Sequence, residues 1–319
     1  MKPSACAIGL DVGGTKIAAG LVMPDGKVIA KRVNPTLPQR GGEAVLQDAL
    51  ALAALLRDDA NAASQSVLAI GVGICELVDL HGNVTSAQTI PWRGLPVQER
   101  FSTLAPTLVE ADSRAAGFCE AMFGAGRQFK SFLFVAVGTG IGCSLILDGI
   151  PHAGARGSTG TLASSPMTAI CPHCGAASHP VLEEIASGPA LVARYNQRVR
   201  KPATSGEEVL TAANTANPDA VYVVQTAGEA LGVTVALLVN VLDPEAVIVG
   251  GGLGTAAGLY WGSFVASTRK HIWSDTHRQL PVLNAAYGGD AGFVGAATLA
   301  FRKYQRAPSS AANAAADAG

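Results

Sequence analysis

Short apolar runs separated by Gly-rich turns alternate with longer helical stretches along this 319-residue chain. Tight turns join the first three runs, at residues 5–10, 17–23 and 27–33, so they predict an antiparallel three-strand meander. The same outline recurs at residues 132–137 and 143–147. This repeat of architecture predicts two similar α/β lobes. Other predicted elements are helices at residues 43–56 and 112–123, buried strands at residues 67–74 and 246–249, and a final helix at about residues 292–306.

The repeat predicts the domain boundaries. Residues 1–112 form the first lobe, completed by the last helix at about residues 292–306, and residues 113–291 form the second. Residues 307–319 contain little to bury and are predicted to be a disordered tail. One further helix, after residue 204, is predicted to be capped by Thr204, with Glu207 three positions on.

One uncharged stretch, residues 246–267, is long enough to span a bilayer. Its glycines, which include Gly250, Gly254 and Gly258, would interrupt a spanning helix, so a strand, a turn and a helix are expected instead. The chain is 49% hydrophobic and 15% charged, with a net charge of -1. Such a balance gives no polybasic surface for nucleic acid or anionic lipid. Six cysteines without a secretory leader indicate a reducing cytoplasm.

Three Gly-rich turns are candidate nucleotide-binding sites, because glycines let backbone N–H groups approach a phosphate. Asp11 beside the first turn is suited to a hydrated Mg²⁺. Each turn alone could simply be a chain reversal, but the occurrence of two in matching places of the repeat favours a nucleotide clamp. The candidate residues are Asp11, Gly13, Gly14, Thr15 and Lys16, then Gly138, Thr139, Gly140 and Gly142, then Gly251, Gly252 and Leu253.

Four segments together resemble the ROK family of sugar kinases and related repressors: residues 11–16 (DVGGTK), 138–142 (GTGIG), 240–244 (NVLDP) and 288–290 (GGD). The resemblance covers nearly the whole chain. It implies an actin-like, ribonuclease-H-like ATPase fold, with two α/β lobes around a nucleotide and sugar cleft. ATP and Mg²⁺ are the implied cofactors, a small sugar or cyclitol the implied substrate, and a homodimer or higher oligomer the implied assembly.

The resemblance also implies a catalytic base. The family's catalytic aspartate lies in an NDANAA stretch, and residues 111–116 here read ADSRAA, which makes Asp112 the matching residue. Phosphoryl transfer needs a carboxylate that orients the attacking hydroxyl and accepts its proton. An ordinary helix N-cap is the alternative role for Asp112.

The implied sugar-binding positions depart from the family pattern. Ala111 stands where relatives have Asn, Thr161 and Ser164 replace a Glu and a His, and Glu183 matches a family Glu. Glu76 follows Cys75 where relatives have a Pro-Gly turn. Lost hydrogen bonds to sugar hydroxyls change specificity strongly. An amino sugar paired with Glu76, or a cyclitol, is therefore expected; the alternative is a glucokinase in which Thr161 and Ser164 still bind glucose.

The family's structural zinc loop is irregular here. Residues 171–179 read CPHCGAASH, and Cys171, Cys174 and His179 keep ligand types that suit Zn²⁺, with His173 as a possible fourth. A metal-free loop with free thiols is the alternative.

Two other functions are compatible with the same motifs. A catalytically silent sugar sensor is one, although the first turn begins at Asp11 and leaves no room ahead of it for a DNA-binding domain. An actin-like or chaperone-type ATPase without a small acceptor is the other, but that class would need neither Asp112 nor Glu183 in its present context. The expected activity is ATP-dependent phosphorylation of a hexose-like hydroxyl.

Overall fold

A computed structural model describes residues 4–170 and 174–305. The predicted disordered tail at residues 307–319 lies outside these residues. The chain forms two compact units. The first unit consists of three segments: the chain up to Cys119, Ala153–Ser158, and the chain from Asp290 onward. The second unit consists of Glu120–His152 and Thr159–Gly289. The lobe boundaries expected from the sequence, after residue 112 and near residue 291, stay a prediction.

The first unit contains a five-stranded sheet in the order β3-β2-β1-β4-β5. Strands β1, β2 and β3 form the predicted antiparallel meander, and β4 and β5 extend it in parallel with β1. Most residues of the parallel strands are buried, Ile8, Leu10, Ile70 and Val72 among them, as expected for strands covered on both faces. The bounds are β1 Ser4–Val12, β2 Lys16–Val22, β3 Val28–Pro35, β4 Gln65–Ile74 and β5 Thr107–Ala111.

Two helices cover opposite faces of this sheet. Helix α1, Gly42–Ala62, buries Val45, Leu46 and its other apolar residues in a core that includes Leu10 and Val72. The alternate positions Gly9 and Gly71 abut the backbone of the last helix, α9 (Ala291–Gln305). Because successive residues of a strand point to opposite faces, α1 and α9 lie on different sides. The close approach of α9 explains why β1 and β4 carry glycines in otherwise apolar strands.

The second unit repeats the sheet. Its order is β12-β11-β6-β7-β8, with β6, β7 and β8 antiparallel and β11 and β12 parallel to β6. The predicted second meander and the strand at residue 246 are thus confirmed. The bounds are β6 Ser131–Val137, β7 Ile141–Leu147, β8 Ile150–Pro151, β11 Ala246–Gly250 and β12 Val282–Asn284, with a separate short pair β9 Ala169–Ile170 and β10 Ala177–Ser178.

Helices form the rest of the second unit's core. Val223, Val224, Ala227 and Leu231 of α7 are fully buried among its apolar side chains. The remaining helices are α2 Val97–Ser102 and α3 Asp112–Phe123, then α4 Glu183–Ala186, α5 Gly188–Asn196, α6 Gly206–Asn214, α7 Pro218–Leu242 and α8 Leu259–His271.

Within the part of the chain that the structure describes, α7 alone is long and apolar enough to cross a membrane by length and composition. Half of its most apolar window is buried inside the protein, so this is weak evidence for a span. Residues 246–267, the uncharged stretch whose length would also suit a bilayer, form β11, a turn and most of α8, as predicted.

The predicted cap of α6 is wrong by one residue. Ser205, not Thr204, is the N-cap, and its hydroxyl accepts the backbone N–H of Glu208 at 3.3 Å. The Glu208 carboxylate returns to the backbone N–H and the hydroxyl of Thr204, at 2.9 and 2.7 Å. Two adjacent capping residues and two adjacent glutamates made the register ambiguous.

Candidate active site

In the first unit, the predicted acidic residues lie at one edge of the sheet. Strand pairing aligns Asp11 with Gly73 and Gly73 with Glu110, so β1, β4 and β5 end side by side. Asp11 is near the end of β1, Glu76 follows β4, and Asp112 follows β5 directly. Ligands of open α/β sheets bind at the carboxyl ends of such parallel strands.

Asp112 is the first residue of α3, and one of its carboxylate oxygens accepts the backbone N–H of Ser113 at 2.5 Å. Burial raises the pKa of Asp112 to about 7, and the negative charges of Asp11 and, less strongly, Glu76 act in the same direction. The Ser113 N–H and the cation of Arg114 oppose this rise. A carboxylate with a pKa near neutrality can accept a proton at neutral pH and release it again.

Asp11 lies between the start of α9 and the first Gly-rich turn, residues 13–16, which is the predicted first phosphate turn. Burial raises its pKa to about 6, and the positive charge of Lys16 limits the rise. A β-carbon on Gly292 would overlap the Asp11 carboxylate, so only glycine fits there. The carboxylate therefore approaches the α9 backbone closely.

The first phosphate turn is held in a fixed shape by its own backbone and by Thr36. Gly13 donates its N–H to the carbonyl of Lys16 at 3.1 Å. The hydroxyl of Thr36 donates to the Gly13 carbonyl at 2.6 Å, and the Thr36 N–H donates to the Thr15 carbonyl at 3.0 Å. Gly14 is half-buried, whereas Thr15 and Lys16 are exposed. The turn thus presents two polar side chains on a pre-formed backbone.

Glu76 is buried, with 5% of its surface exposed. One carboxylate oxygen accepts the N–H groups of Thr89 and Ile90, at 2.6 and 2.8 Å. The other accepts the hydroxyl of Ser86 and the N–H of Gln88, the latter at 3.0 Å. Both oxygens are therefore engaged within the protein. The predicted pairing of Glu76 with a substrate ammonium gains no support from this arrangement.

Cys75 lies at the end of β4, among the three predicted acidic residues. Burial raises the pKa of its thiol well above the usual range, and the negative charges of Asp112, Glu76 and Asp11 add to the effect in that order. The strand register, in which β1, β4 and β5 end side by side, places the same three residues around the end of β4.

Arg114 is a residue of this site that sequence reasoning missed. Its side chain is 2% exposed and forms an ion pair with Glu110 one turn earlier. Its other guanidinium nitrogens donate to the carbonyls of Gly157 and Val78, at 2.8 and 3.1 Å. The signal was present in the ADSRAA segment, where an Arg stands in the helix that begins with the predicted catalytic base, Asp112. Neighbouring Ala111 is nearly buried and offers only a methyl group.

In the second unit, the two remaining Gly-rich turns also lie at one edge of a sheet. β6 ends at Val137 and its parallel neighbour β11 ends at Gly250, so the turns that follow are adjacent. Both Leu253 and Gly254 donate their N–H groups to the carbonyl of Val137 at 3.0 Å. Gly251 has φ +81, and a β-carbon there would overlap the Val137 backbone. Only glycine allows this contact.

Glu183 lies against the turn between β6 and β7. Its carboxylate accepts the N–H of Ile141 at 2.8 Å. Gly188, at the start of α5, donates its N–H to the carbonyl of Gly138 at 2.8 Å. The segment that carries the predicted sugar-binding Glu is therefore attached to the second phosphate turn, which includes Thr139, Gly140 and Gly142.

Thr161 and Ser164 belong to a single short turn in the second unit. Both are exposed, and the Ser164 hydroxyl donates to the Thr161 carbonyl at 2.9 Å. Their side chains are accessible to a ligand, and their role in binding one stays a prediction.

Glu120, a second carboxylate missed from the sequence, is fully buried. It accepts the backbone N–H groups of Ala125, Ala286 and Tyr287 at 2.8, 3.1 and 2.8 Å. It therefore fixes the chain after β12, just before the GGD segment. Such distant partners leave no local pattern in the sequence.

The zinc prediction stays open. Two of the predicted ligands, Cys171 and His173, lie outside the described residues. Cys174 and His179 are described, and both are exposed. Residues 4–170 and 174–305 contain no group of three His, Cys, Asp or Glu side chains that could hold a metal ion.

Two sheets of the same strand order, each with Gly-rich turns at its carboxyl edge, define a protein of the actin-like ATPase fold. The ROK family model matches residues 7–303, and the chain belongs to the ROK family. A Streptomyces coelicolor protein named glucokinase is 31% identical, with 92% of this chain and 96% of that protein aligned. An N-acetylmannosamine kinase of Citrobacter koseri is 28% identical, over 92% of this chain and 98% of its own.

The same relationship holds among solved structures. The ROK glucokinase of Streptomyces griseus, determined in complex with glucose and AMPPNP, superimposes with a TM-score of 0.80 at 30% identity. The superposition covers 93% of this chain and 99% of that one.

Proposed function

We propose that this protein is an ATP-dependent sugar kinase that transfers the γ-phosphate to a hydroxyl of a hexose-like acceptor. One observation carries the proposal: Asp112 stands at the start of a helix, at the carboxyl edge of a parallel sheet, with its pKa raised to about 7. The matching relatives named glucokinase and N-acetylmannosamine kinase, and the complex with glucose and AMPPNP, support the same class.

In the reaction, Asp112 orients the acceptor hydroxyl and takes its proton. The hydroxyl oxygen forms a bond to the γ-phosphorus while the bond from that phosphorus to the β–γ bridging oxygen breaks, and ADP leaves with the electron pair. A base with a pKa near the working pH serves this step best, because it is mostly ionised before the transfer and still accepts a proton during it.

Asp11 fits the role of Mg²⁺ ligand. It offers oxygen donors, which Mg²⁺ prefers, and its burial disfavours a free negative charge. A divalent cation would remove that disadvantage. When bound, Mg²⁺ would neutralise the charge that develops on the phosphate oxygens. Asp11 would hold it, while Lys16 and the turn at Gly13 and Gly14 would bind phosphate.

The turns of the second unit are assigned to the nucleotide as well. Backbone N–H groups at Gly140 and Gly252 suit phosphate and ribose oxygens, whereas the Gly138 N–H already donates to the Gly140 carbonyl at 2.9 Å and shapes the turn. Glu183 is assigned to the acceptor, with Thr161 and Ser164 as further contacts. These assignments rest on the family pattern and on the exposure of the side chains.

Among hexose-like acceptors, a neutral sugar is favoured over a free amino sugar. The amino sugar expectation depended on a free carboxylate at Glu76, and both oxygens of Glu76 already accept hydrogen bonds. Glucose, N-acetylated hexosamines and cyclitols all remain compatible with the neutral polar groups of Thr161 and Ser164. The expected homodimer or higher oligomer stays a prediction that sedimentation equilibrium measures.

The test is a coupled ADP-release assay with MgATP and a panel of glucose, mannose, N-acetylated hexosamines, amino sugars and cyclitols. Turnover of one or more acceptors by the wild type, and none by Asp112→Asn, is the expected result. The exposed Asp58 supplies the control, because Asp58→Asn makes the same chemical change on the outside of α1. Nucleotide binding without turnover of any acceptor would contradict the proposal and favour a silent sugar sensor.

A further inference from the structure

Glu76 follows β4 directly, and its buried side chain connects this position to a segment that lies ten or more residues further along the chain. The Glu76 carboxylate accepts four hydrogen bonds. All four donors come from residues 86–90. Burial of a carboxylate is tolerated when several donors satisfy it in this way.

The attachment extends beyond the carboxylate. Leu77 donates its N–H to the hydroxyl oxygen of Ser86 at 2.8 Å, and Thr85 donates its N–H to the carbonyl of Leu77 at 2.8 Å. The segment 85–90 is thus connected to the residues that follow β4 by backbone and side chain alike. Ile90, at its end, is fully buried in the core of the first unit.

The same segment contacts the first phosphate turn. The γ-methyl carbon of Thr89 lies 2.6 Å from the point where a β-carbon on Gly14 would stand. Gln88 and Thr89 are exposed, and they are the two exposed polar side chains in a stretch whose N–H groups are bound by Glu76. The carboxylate therefore determines where these two neutral side chains stand beside the turn.

We propose that Glu76 is a positioning residue, which holds residues 86–90 against the first phosphate turn as one wall of the acceptor site and so determines acceptor affinity. The proposal rests on the kinase function proposed above. It gives Glu76 an indirect role in place of direct contact with the substrate. The wall that it holds presents an amide and a hydroxyl, which suit the hydroxyl groups of a neutral sugar.

The attachment of residues 86–90 to the Glu76 carboxylate, the Glu76 clamp, is tested most directly by Glu76→Gln. The glutamine oxygen can still accept from Thr89 and Ile90, but its NH₂ then faces the N–H of Gln88, and two donors cannot pair. Glu99→Gln is the matched control, because Glu99 is exposed on α2 in the same unit. Ser86→Ala is the second variant, since it keeps the carboxylate and its three backbone donors and removes the Ser86 hydroxyl, which donates to Glu76 and accepts from Leu77.

Two readouts apply to the full-length protein: backbone hydrogen exchange by mass spectrometry over residues 85–92, and the kinetic constants for MgATP and for whichever panel sugar the wild type turns over. In Glu76→Gln we expect faster exchange at residues 88–90 and a KM for the acceptor raised about tenfold, since the unpaired buried N–H of Gln88 releases the segment from its position. The kcat and the KM for MgATP should change by less than about threefold. Ser86→Ala should show a smaller effect of the same kind, and Glu99→Gln none.

Unchanged exchange in Glu76→Gln would overturn the clamp. Faster exchange with an unchanged KM for the acceptor would overturn the role in acceptor affinity and leave Glu76 a purely structural residue. If Glu76→Gln does not fold, Ser86→Ala decides by the same two readouts. A wild type that turns over no acceptor would refute the proposed function, and acceptor affinity with it, whereas the exchange result would still judge the clamp.

Discussion

The two units have the same sheet and different chemistry at its carboxyl edge. In the first unit this edge carries Asp11 and Asp112, whose pKa values are raised by burial. In the second unit the edge carries glycine turns, and its carboxylates, Glu183 and Glu120, accept backbone N–H groups. Under the proposed function, the first unit supplies charge and proton transfer, and the second unit supplies the shape of the nucleotide site. Removing a charge should therefore matter most in the first unit, whereas the edge of the second unit should respond mainly to added atoms.

The largest expected effect comes from removing the charge of the proposed base. Asp112→Asn keeps the size of the side chain and loses its basicity, so kcat should fall by about 10²–10⁴-fold, the usual contribution of general base catalysis. Nucleotide affinity, measured by titration calorimetry with ADP, should stay within about threefold. An Asp112→Asn enzyme as active as Asp58→Asn would remove the contrast between the units.

Adding one carbon atom to the second unit should give the next largest effect. Gly251→Ala forces a side chain into a backbone with φ +81 and into contact with Val137. The free energy of unfolding should fall by about 1–3 kcal/mol, the usual range for a strained backbone conformation. Nucleotide affinity should fall at least tenfold. Gly262, exposed on α8 of the same unit, where a β-carbon meets no atom within 4 Å, supplies Gly262→Ala as the control. Equal behaviour of the two variants would contradict the role assigned to shape.

The raised pKa of Asp112 predicts a pH dependence of both activity and stability. Because the reaction needs the ionised carboxylate, kcat/KM should fall as the pH drops below about 7. Stability has the opposite sign: a carboxyl group with a raised pKa contributes stability that is fully present below its ordinary pKa and lost as pH rises through about 7. Asp112→Asn should therefore gain thermal stability over the wild type at pH 8 but not at pH 4. The same difference in Tm between Asp112→Asn and the wild type at pH 8 and at pH 4 would contradict the raised pKa of Asp112.

Arg114→Met should sharpen the same charge balance. It removes a cation that lowers the pKa of Asp112, so the acidic limb of kcat/KM should move to higher pH. It also leaves Glu110 and two carbonyls without their partner, which should cost about 3–5 kcal/mol of unfolding free energy. Arg114→Lys keeps the positive charge but loses the several donors of the guanidinium. It should destabilise the protein while leaving the acidic side of the kcat/KM profile at the same pH. A limb that moves equally in both variants would contradict the electrostatic part.

The smallest effect is expected at Glu183. A glutamine oxygen can still accept the N–H of Ile141, so Glu183→Gln should change kcat/KM by less than about tenfold. Glu183→Ala should cost more, because it leaves that N–H unpaired. Glu207→Gln, an exposed change on α6, is the control. A loss in Glu183→Gln as large as in Asp112→Asn would show that the charge of Glu183 matters too.

Local patterns in the sequence were sufficient for most of the fold. Apolar runs bounded by turns predicted β1, β4, β6 and β11 to within a few residues, because buried parallel strands have a simple composition. The cap of α6 was wrong because Thr204 and Ser205 are adjacent and chemically alike. The sequence also gave no reason to expect that Ala153–Ser158 would join the first unit, because that depends on distant partners such as Arg114.

The site was predictable to the extent that its residues belong to motifs. Asp11, Asp112 and the glycine turns follow from family segments that are continuous in the chain. Glu76, Glu120 and Arg114 are different, because each is defined by hydrogen bonds to segments far away in sequence. Nothing in the sequence near Glu76 indicates that residues 86–90 donate to it. Roles of this kind require coordinates.

The position of α9 has a consequence for how the protein is made. Because synthesis runs from the N-terminal side, the strands of the first unit, all before residue 112, are made well ahead of the helix that covers one of their faces, Ala291–Gln305. Until that helix emerges, Gly9 and Gly71 lack the backbone that packs against them. The nascent first unit should therefore remain open to chaperones and proteases while the second unit, encoded between its parts, completes its own core.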